Sequence, residues 1–339
     1  MKKASLVVST PYQGNRIFDS SNLKLNRDNC LAPFHHLRKA FQDKGVDLST
    51  QDINSINESD YIIYNDMPSE LPERQRVGKS HLLILESPLV VKNSWQKERL
   101  DRFSRVYSWN DSVADNVKFI KVNYSFDFPE SIEVEQKRKK FCCLISANKV
   151  SSEENELYGE RIKTIRWFEK NSREDFDLYG IGWDRPSKGY LLGNIANKLI
   201  NYLPFLKPAF QFNKFPSYIG TVESKKEVMQ EYKFCICYEN IHGLQGYITE
   251  KIFDCFFAGC IPIYWGADNI EDYIPLECFI DRRKFSTNAK LYDYLKSLSN
   301  ENCLLYRKNI QQFLKSEKAQ LFSVQKFAEI VSSAVLEAH

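Results

Sequence analysis

Apolar residues fall into short runs of strand length, separated by stretches with helical spacing. Ala4–Val8 follow Met1-Lys2-Lys3. This run is too short for a secretory leader and meets Pro11-Tyr12-Gln13 at once, so it reads as a first strand, Leu6–Ser9. Tyr61–Tyr64, Leu82–Leu85 and Val106–Trp109 are further strand-like runs. Between Leu6–Ser9 and Tyr61–Tyr64, Ala32–Lys44 carries Phe34, Leu37, Ala40 and Phe41 on one helical face, with Arg38 and Lys39 on the other.

The pattern restarts after Glu133–Lys140 (EVEQKRKK), a charge run without apolar spacing. That run reads as a solvated interdomain linker; the alternative is contact with anionic lipid or phosphate. Beyond it come a strand at Phe141–Ile145, a helix at Gly159–Asn171 with Ile162, Ile165, Trp167 and Phe168 apolar, and a strand at Phe176–Tyr179. Residues 184–216 are broken by Pro186, Pro204, Pro208 and Pro216, with one apolar helical stretch at 195–203. Ser224–Gln230 reads as a helix.

Tyr232–Ala267 is the stretch around which the rest is organised. Phe234–Tyr238 is a buried strand, and Glu239–Gly246 a polar loop at its carboxyl end. A helix then opens at Thr249, which can cap its first amides, with Glu250 where negative charge is favoured. Ile252, Phe253, Phe256 and Phe257 give it an apolar face, and Gly259 can end it in a left-handed cap. Cys260–Trp265 is the parallel strand beside the first. After Ala267, Asn269–Ile274 and Lys290–Leu298 read as helices, and Asn309–Leu336 as one or two closing helices. Leu321–Leu336 is amphipathic with mixed charge, which favours packing on the protein over peripheral membrane contact.

Strands alternating with helices make the chain α/β, and 339 residues suit two domains. The expected division is 1–135, 136–310 and a closing segment 311–339. A formal charge of +3 argues against a dedicated nucleic-acid binder. Nine cysteines, mostly within apolar runs, read as reduced core residues and favour a cytoplasmic setting. The five histidines form no ligand pattern, and no run approaches a membrane span.

Tyr232-Lys233-Phe234, Tyr238-Glu239-Asn240, Tyr247-Ile248-Thr249-Glu250-Lys251 and Ala258-Gly259-Cys260-Ile261-Pro262-Ile263-Tyr264-Trp265-Gly266 resemble the α-1,3-fucosyltransferases of glycosyltransferase family 10, bacterial type. Glu86-Ser87-Pro88, and Gly220-Thr221-Val222 with Lys225, agree with that resemblance. It implies a GT-B-like architecture, two Rossmann-like domains facing a central cleft. The N-terminal domain would take the acceptor, an oligosaccharide or glycolipid, and the C-terminal domain GDP-fucose. It also implies inverting transfer without a metal or other cofactor.

Residue chemistry points the same way. Glu86, a carboxylate ending an apolar strand, suits a general base; its alternative is a turn carboxylate beside Pro88. Lys251 adds positive charge to a helix N-terminus and suits a diphosphate; the alternative is a surface pair with Asp254. Arg161 is the second cation for phosphate oxygens, with Arg166 its rival and a solvated helix arginine the alternative. Asn240, Tyr247 and Glu250 suit ribose or sugar hydroxyls; Glu239 either joins them or caps the loop, and Tyr247 equally suits core packing. His242 reads as a solvated loop residue. Asp175-Phe176-Asp177 matches the metal-diphosphate pattern D-x-D, but its place in a strand reads as structural or exposed. Three readings follow: transfer of L-fucose from GDP-fucose, transfer from another nucleotide-deoxysugar, or a catalytically silent nucleotide- or glycan-binding module.

Overall fold

The computed structural model describes residues 1–185, 195, 198, 199, 202, 203 and 215–337. Residues 196, 197, 200 and 201 of the expected helix at 195–203 lie outside the described residues. The strands are β1 (Lys2–Val7), β2 (Val46–Thr50), β3 (Tyr61–Asn65), β4 (Ser80–Ile84), β5 (Arg105–Ser108), β6 (Phe119–Lys121), β7 (Lys140–Ile145), β8 (Phe176–Tyr179), β9 (Tyr218–Gly220), β10 (Tyr232–Tyr238), β11 (Ile261–Trp265) and β12 (Ile280–Asp281). The helices that matter below are α1 (Ala32–Asp43), α2 (Tyr158–Asn171), α3 (Glu250–Phe257), α4 (Asn300–Leu314) and α5 (Val324–Leu336).

Two six-stranded parallel sheets form, in the orders β2-β1-β3-β4-β5-β6 and β12-β11-β10-β7-β8-β9. The second is the dinucleotide-fold order, with the strand sequence reversing between β7 and β10; the first reverses between β1 and β3. Parallel sheets of this kind bind ligands beyond the carboxyl ends of strands near such reversals. The loops after β7 and β10 are therefore placed to meet a ligand by topology alone. Apolar clusters cover both faces of each sheet, as expected for strands that read as near-continuous hydrophobic runs.

The last two long helices divide between the domains. Ile310, Phe313 and Leu314 of α4 enter the second domain's core. Phe327, Val331 and Val335 of α5 enter the first domain's core beside Leu37 and Phe41 of α1. The chain crosses back through Phe126, whose amide donates to the Phe322 carbonyl at 2.8 Å and whose carbonyl accepts from the Val324 amide at 3.1 Å. The apolar face of α5 is thus covered by protein.

Several expectations need correction. α4 begins nine residues before the expected Asn309 because Ser299 and Asn302 form a reciprocal capping box. β2 and β6, edge strands of five and three residues, were not foreseen; Asp47 and Ser49 interrupt the apolar pattern in one, and the other is too short to register. The charge run is not a wholly solvated linker. Arg138 is 4% exposed and donates to the carbonyls of Glu133, Ala258 and Gly259 at 2.8, 3.1 and 3.0 Å. It therefore closes the C-terminal end of α3, beside Gly259 at φ 60°. All nine cysteines are free, and only Cys30 is exposed. Among the described residues no helix is long and apolar enough to cross a membrane.

Candidate active site

The loop after β10 and the start of α3 are built around Glu239, which is 0% exposed. Its carboxylate accepts from the Thr249 amide at 2.9 Å and the Thr249 hydroxyl at 2.7 Å. Thr249 therefore does not cap its own helix as expected; its hydroxyl is turned inward to Glu239. Lys251 Nζ lies 3.1 Å from Glu239 Oε2 and 3.2 Å from Glu250 Oε1, and donates to Thr249 Oγ1 at 2.9 Å. The expected alternative, Lys251 with Asp254, is not what forms: Asp254 takes Lys225 at 2.7 Å.

These pairs set the charges. Burial opposes the Lys251 ammonium, but Glu239 and Glu250 outweigh it and move its pKa upward. Burial likewise opposes ionisation of Glu250, yet Lys251 and Lys225 hold it down to about 2. Desolvation pushes Asp254 up to about 6 even though Lys225 pulls the other way.

Arg161, 4% exposed, is no solvated helix residue. From the first turn of α2 its Nη2 donates to the carbonyls of Tyr238 and Glu239 at 2.6 and 2.8 Å and to Asn240 Oδ1 at 3.1 Å. It fixes the strand end from which Asn240 projects. Its rival Arg166 pairs with Glu169 at 2.6 Å and lies over the Phe215 ring. Asp175 and Asp177 pair with Lys296 and Lys140, both at 2.9 Å. That supports the structural reading of D-x-D. His242 stacks on Trp265, ring centroids 5.6 Å apart.

The first domain contributes the Glu86 turn after β4. The Leu85 carbonyl accepts from Trp109 Nε1 at 3.0 Å and from the Tyr124 hydroxyl. The amides of Leu85 and Glu86 donate to Asp66 Oδ1 at 3.1 and 3.2 Å. Trp109 packs on Tyr247, 4.7 Å between centroids, so the turn is braced against the α3 loop. Desolvation, then the Asp66 and Glu250 carboxylates, push the Glu86 carboxyl above its ordinary range against the opposing pull of Lys251 and Lys149.

Gly246 lets the domains meet here. Its φ is 80°, and a Cβ would lie 2.2 Å from the Trp109 carbonyl oxygen. Alongside it, Asp111 accepts from Asn269 at 2.9 Å and Tyr273 at 2.7 Å.

Two cavities share this wall. One, of about 610 Å³, is lined by Glu86, Arg161, Asn240, Tyr247, Glu250 and Lys251, whereas Glu239, which is enclosed, does not line it. It also takes in Lys149, Lys225 and Arg27, giving five cations against the three carboxylates Glu86, Glu250 and Asp254. A second, of about 790 Å³, runs along α3 past Phe34, Phe126, Phe128 and Phe257, and shares Glu86 and Glu250 with the first. Both volumes suit small-molecule ligands. Lys149 and Tyr124 escaped the sequence reading, because neither sits in a motif and each is brought in by a long-range loop. Lys225 carried a signal, its place within the family resemblance.

Comparison with known proteins addresses the second half of the chain most directly. Residues 197–327 match the family model for the C-terminal region of glycosyltransferase family 10 (fucosyltransferase). The family 10 resemblance holds. An α-(1,3)-fucosyltransferase of Helicobacter pylori is 35% identical over 106 residues, 31% of this chain and 22% of that enzyme. An α-(1,4)-fucosyltransferase of Arabidopsis thaliana is 38% identical over 73 residues, 22% of this chain and 18% of that enzyme. The sequence matches thus span about a fifth of the length of these relatives. Over 98% of the chain and 90% of the other, a crystal structure of an α1,3-fucosyltransferase with GDP-fucose superposes with a TM-score of 0.56 at 16% identity. An Anabaena HepE structure with UDP and glucose gives a TM-score of 0.56 at 10% identity. The fold is that of the GT-B glycosyltransferases.

Proposed function

We propose that this protein is an inverting fucosyltransferase, moving L-fucose from GDP-β-L-fucose to a glycan hydroxyl, with O3 of N-acetylglucosamine the first acceptor to test. The observation that carries the reading is the position of Glu86. It sits where the two cavities meet, on the opposite domain from a cation-rich helix start.

In this reading the diphosphate docks at the N-terminus of α3, where free amides, Lys251 and the neighbouring cations favour negative charge. Arg161 holds the strand end that carries Asn240, and Asn240, Tyr247 and Glu250 meet the ribose or fucose hydroxyls. The acceptor enters through the second cavity, whose aromatic side chains offer flat faces to a pyranose ring. Glu86 takes the proton of the acceptor hydroxyl as that oxygen bonds to fucose C1 from the side opposite the diphosphate. The bond from C1 to the phosphate oxygen breaks, GDP leaves with the electron pair, and the proton ends on Glu86. A pKa above the ordinary carboxylate range suits that role, because a stronger base accepts the proton more readily.

GDP release measured across a panel of disaccharide acceptors tests the activity. The expected result is release from GDP-fucose with an N-acetylglucosamine-containing acceptor. Turnover of another nucleotide-deoxysugar but not GDP-fucose would overturn the donor, and GDP binding without any turnover would favour a silent module. Glu86→Gln is expected to lower kcat by about 10²- to 10⁴-fold with GDP affinity kept. Full activity in that variant would remove Glu86 from the role.

A further inference from the structure

Asp66 sits just past the end of β3. β3 and β4 pair in parallel as far as Asn65 and Leu83, so the amides of Leu85 and Glu86 lie beyond the ladder and need other partners. Asp66 supplies both through one oxygen. To do so it adopts a left-handed backbone, φ 62°, and donates its own amide to the Leu83 carbonyl at 2.7 Å. Asparagine and aspartate tolerate that conformation best among residues with a side chain.

The peptide group joining Leu85 to Glu86 is held at both ends. Its N–H points to Asp66 Oδ1, while its carbonyl takes the Trp109 indole and the Tyr124 hydroxyl. With this plane fixed, the direction in which the Glu86 side chain leaves the backbone is fixed too. Resting on the function proposed above, we propose that Asp66 is a positioning residue for Glu86, clamping the turn that aims its carboxylate into the junction of the two cavities.

Desolvation raises the Asp66 carboxyl above its ordinary range although the two amides it accepts pull the other way, and once ionised its charge stands beside Glu86. The groups facing Glu86 are Asp66 from the end of β3, Glu250 and Lys251 from α3, and Lys149 from the loop after β7. The hydroxyls of Tyr124, Tyr247 and Tyr158 also interact with Glu86, and Arg27, Arg161 and Lys225 line the same cavity. Among the charged neighbours the two carboxylates disfavour the Glu86 anion and the two lysines favour it. Asp66 therefore does two things: it aims Glu86, and it keeps Glu86 more basic than the lysines alone would allow.

Asp66→Asn separates the two effects. It keeps an oxygen for both amides and removes the charge, so Glu86 ionises at lower pH. Because the ionised form is the base, the acidic limb of kcat/KM is expected to move to lower pH by about half a unit or more. Asp66→Ala loses the clamp and is expected to lower kcat roughly ten- to a hundredfold with GDP affinity kept. A purely structural Asp66 would leave the pH limb in place. Titration of ¹³Cδ-labelled glutamate by NMR, with the Glu86 signal identified by its loss in Glu86→Gln, reads the same shift without turnover. An unchanged Glu86 titration in folded Asp66→Asn overturns the charge role, and unchanged kcat in Asp66→Ala overturns the clamp. Failure of the proposed activity shows instead as absent turnover in the unaltered protein, while the NMR titration still decides the coupling.

Discussion

In the proposed function Lys251 serves the fold and the ligand at once, and the two roles can be separated by substitution. Lys251→Met keeps the side-chain length and removes the ammonium. What remains is Glu239, with no exposed surface, still hydrogen-bonded to Thr249 but without its counter-charge at 3.1 Å. The Lys251 side chain itself is only 20% exposed, so solvent screens the pair weakly. Removing one member of such a pair costs about 3 kcal/mol or more, because the other is left buried and unpaired. Adding Glu239→Gln removes the stranded charge and keeps a hydrogen-bonding group near Thr249. The double variant is therefore expected to return to within about 1 kcal/mol of the unaltered protein.

GDP binding follows a different pattern. Losing a charge-assisted contact to phosphate costs about 1.5–3 kcal/mol, roughly ten- to a hundredfold in Kd. That loss is expected in the single and the double variant alike. Urea unfolding of the ligand-free protein reads the first effect and calorimetric titration with GDP the second. The reasoning fails if Lys251→Met unfolds at the same urea concentration as the unaltered protein, or if the double variant regains GDP affinity along with stability.

Two other substitutions probe the frame of the site. Arg161→Met leaves the Tyr238 and Glu239 carbonyls without their buried donor; a loss of about 2–3 kcal/mol in urea unfolding is expected, with GDP affinity down at least tenfold. Unchanged GDP affinity would make Arg161 scaffold alone. Gly246→Ala forces a Cβ against the Trp109 carbonyl and strains a positive φ, costing about 1–3 kcal/mol. Limited proteolysis of the 240–247 loop should accelerate, and an unchanged cleavage rate would mean that the two domains do not depend on this contact.

What the sequence disclosed and what it withheld divide along contact distance. β10, α3 and β11 were legible because their apolar spacing and turn residues are local, and Gly259 ends α3 in a left-handed conformation as its position implied. Glu86 was legible as a carboxylate ending a strand. The inward turn of Thr249 was not, because it depends on Glu239 ten residues earlier being enclosed rather than capping a loop in solvent. Arg138 was hidden inside a charge run, since composition cannot distinguish a lysine in water from an arginine reaching carbonyls more than a hundred residues away. Asp66 left no motif at all. Its meaning arises only when β3 and β4 lie side by side, and that pairing is a property of the sheet rather than of either segment.

The two glutamates around Lys251 divide their work by exposure. Glu239 is enclosed and bonded to Thr249 through both oxygens, so displacing it would strand two donors and the lysine together. The Glu250 side chain is 40% exposed and faces both cavities, so water can replace Lys251 there at smaller cost than at enclosed Glu239. Under the function proposed above, a diphosphate arriving at α3 would take the place of Glu250, not of Glu239, on the lysine. The carboxylate so freed lies between the donor and acceptor spaces, where sugar hydroxyls are the donors it would meet. The resting ion pair keeps the lysine oriented, and in the proposed function the same exchange would bring Glu250 to the hydroxyls of the bound sugar.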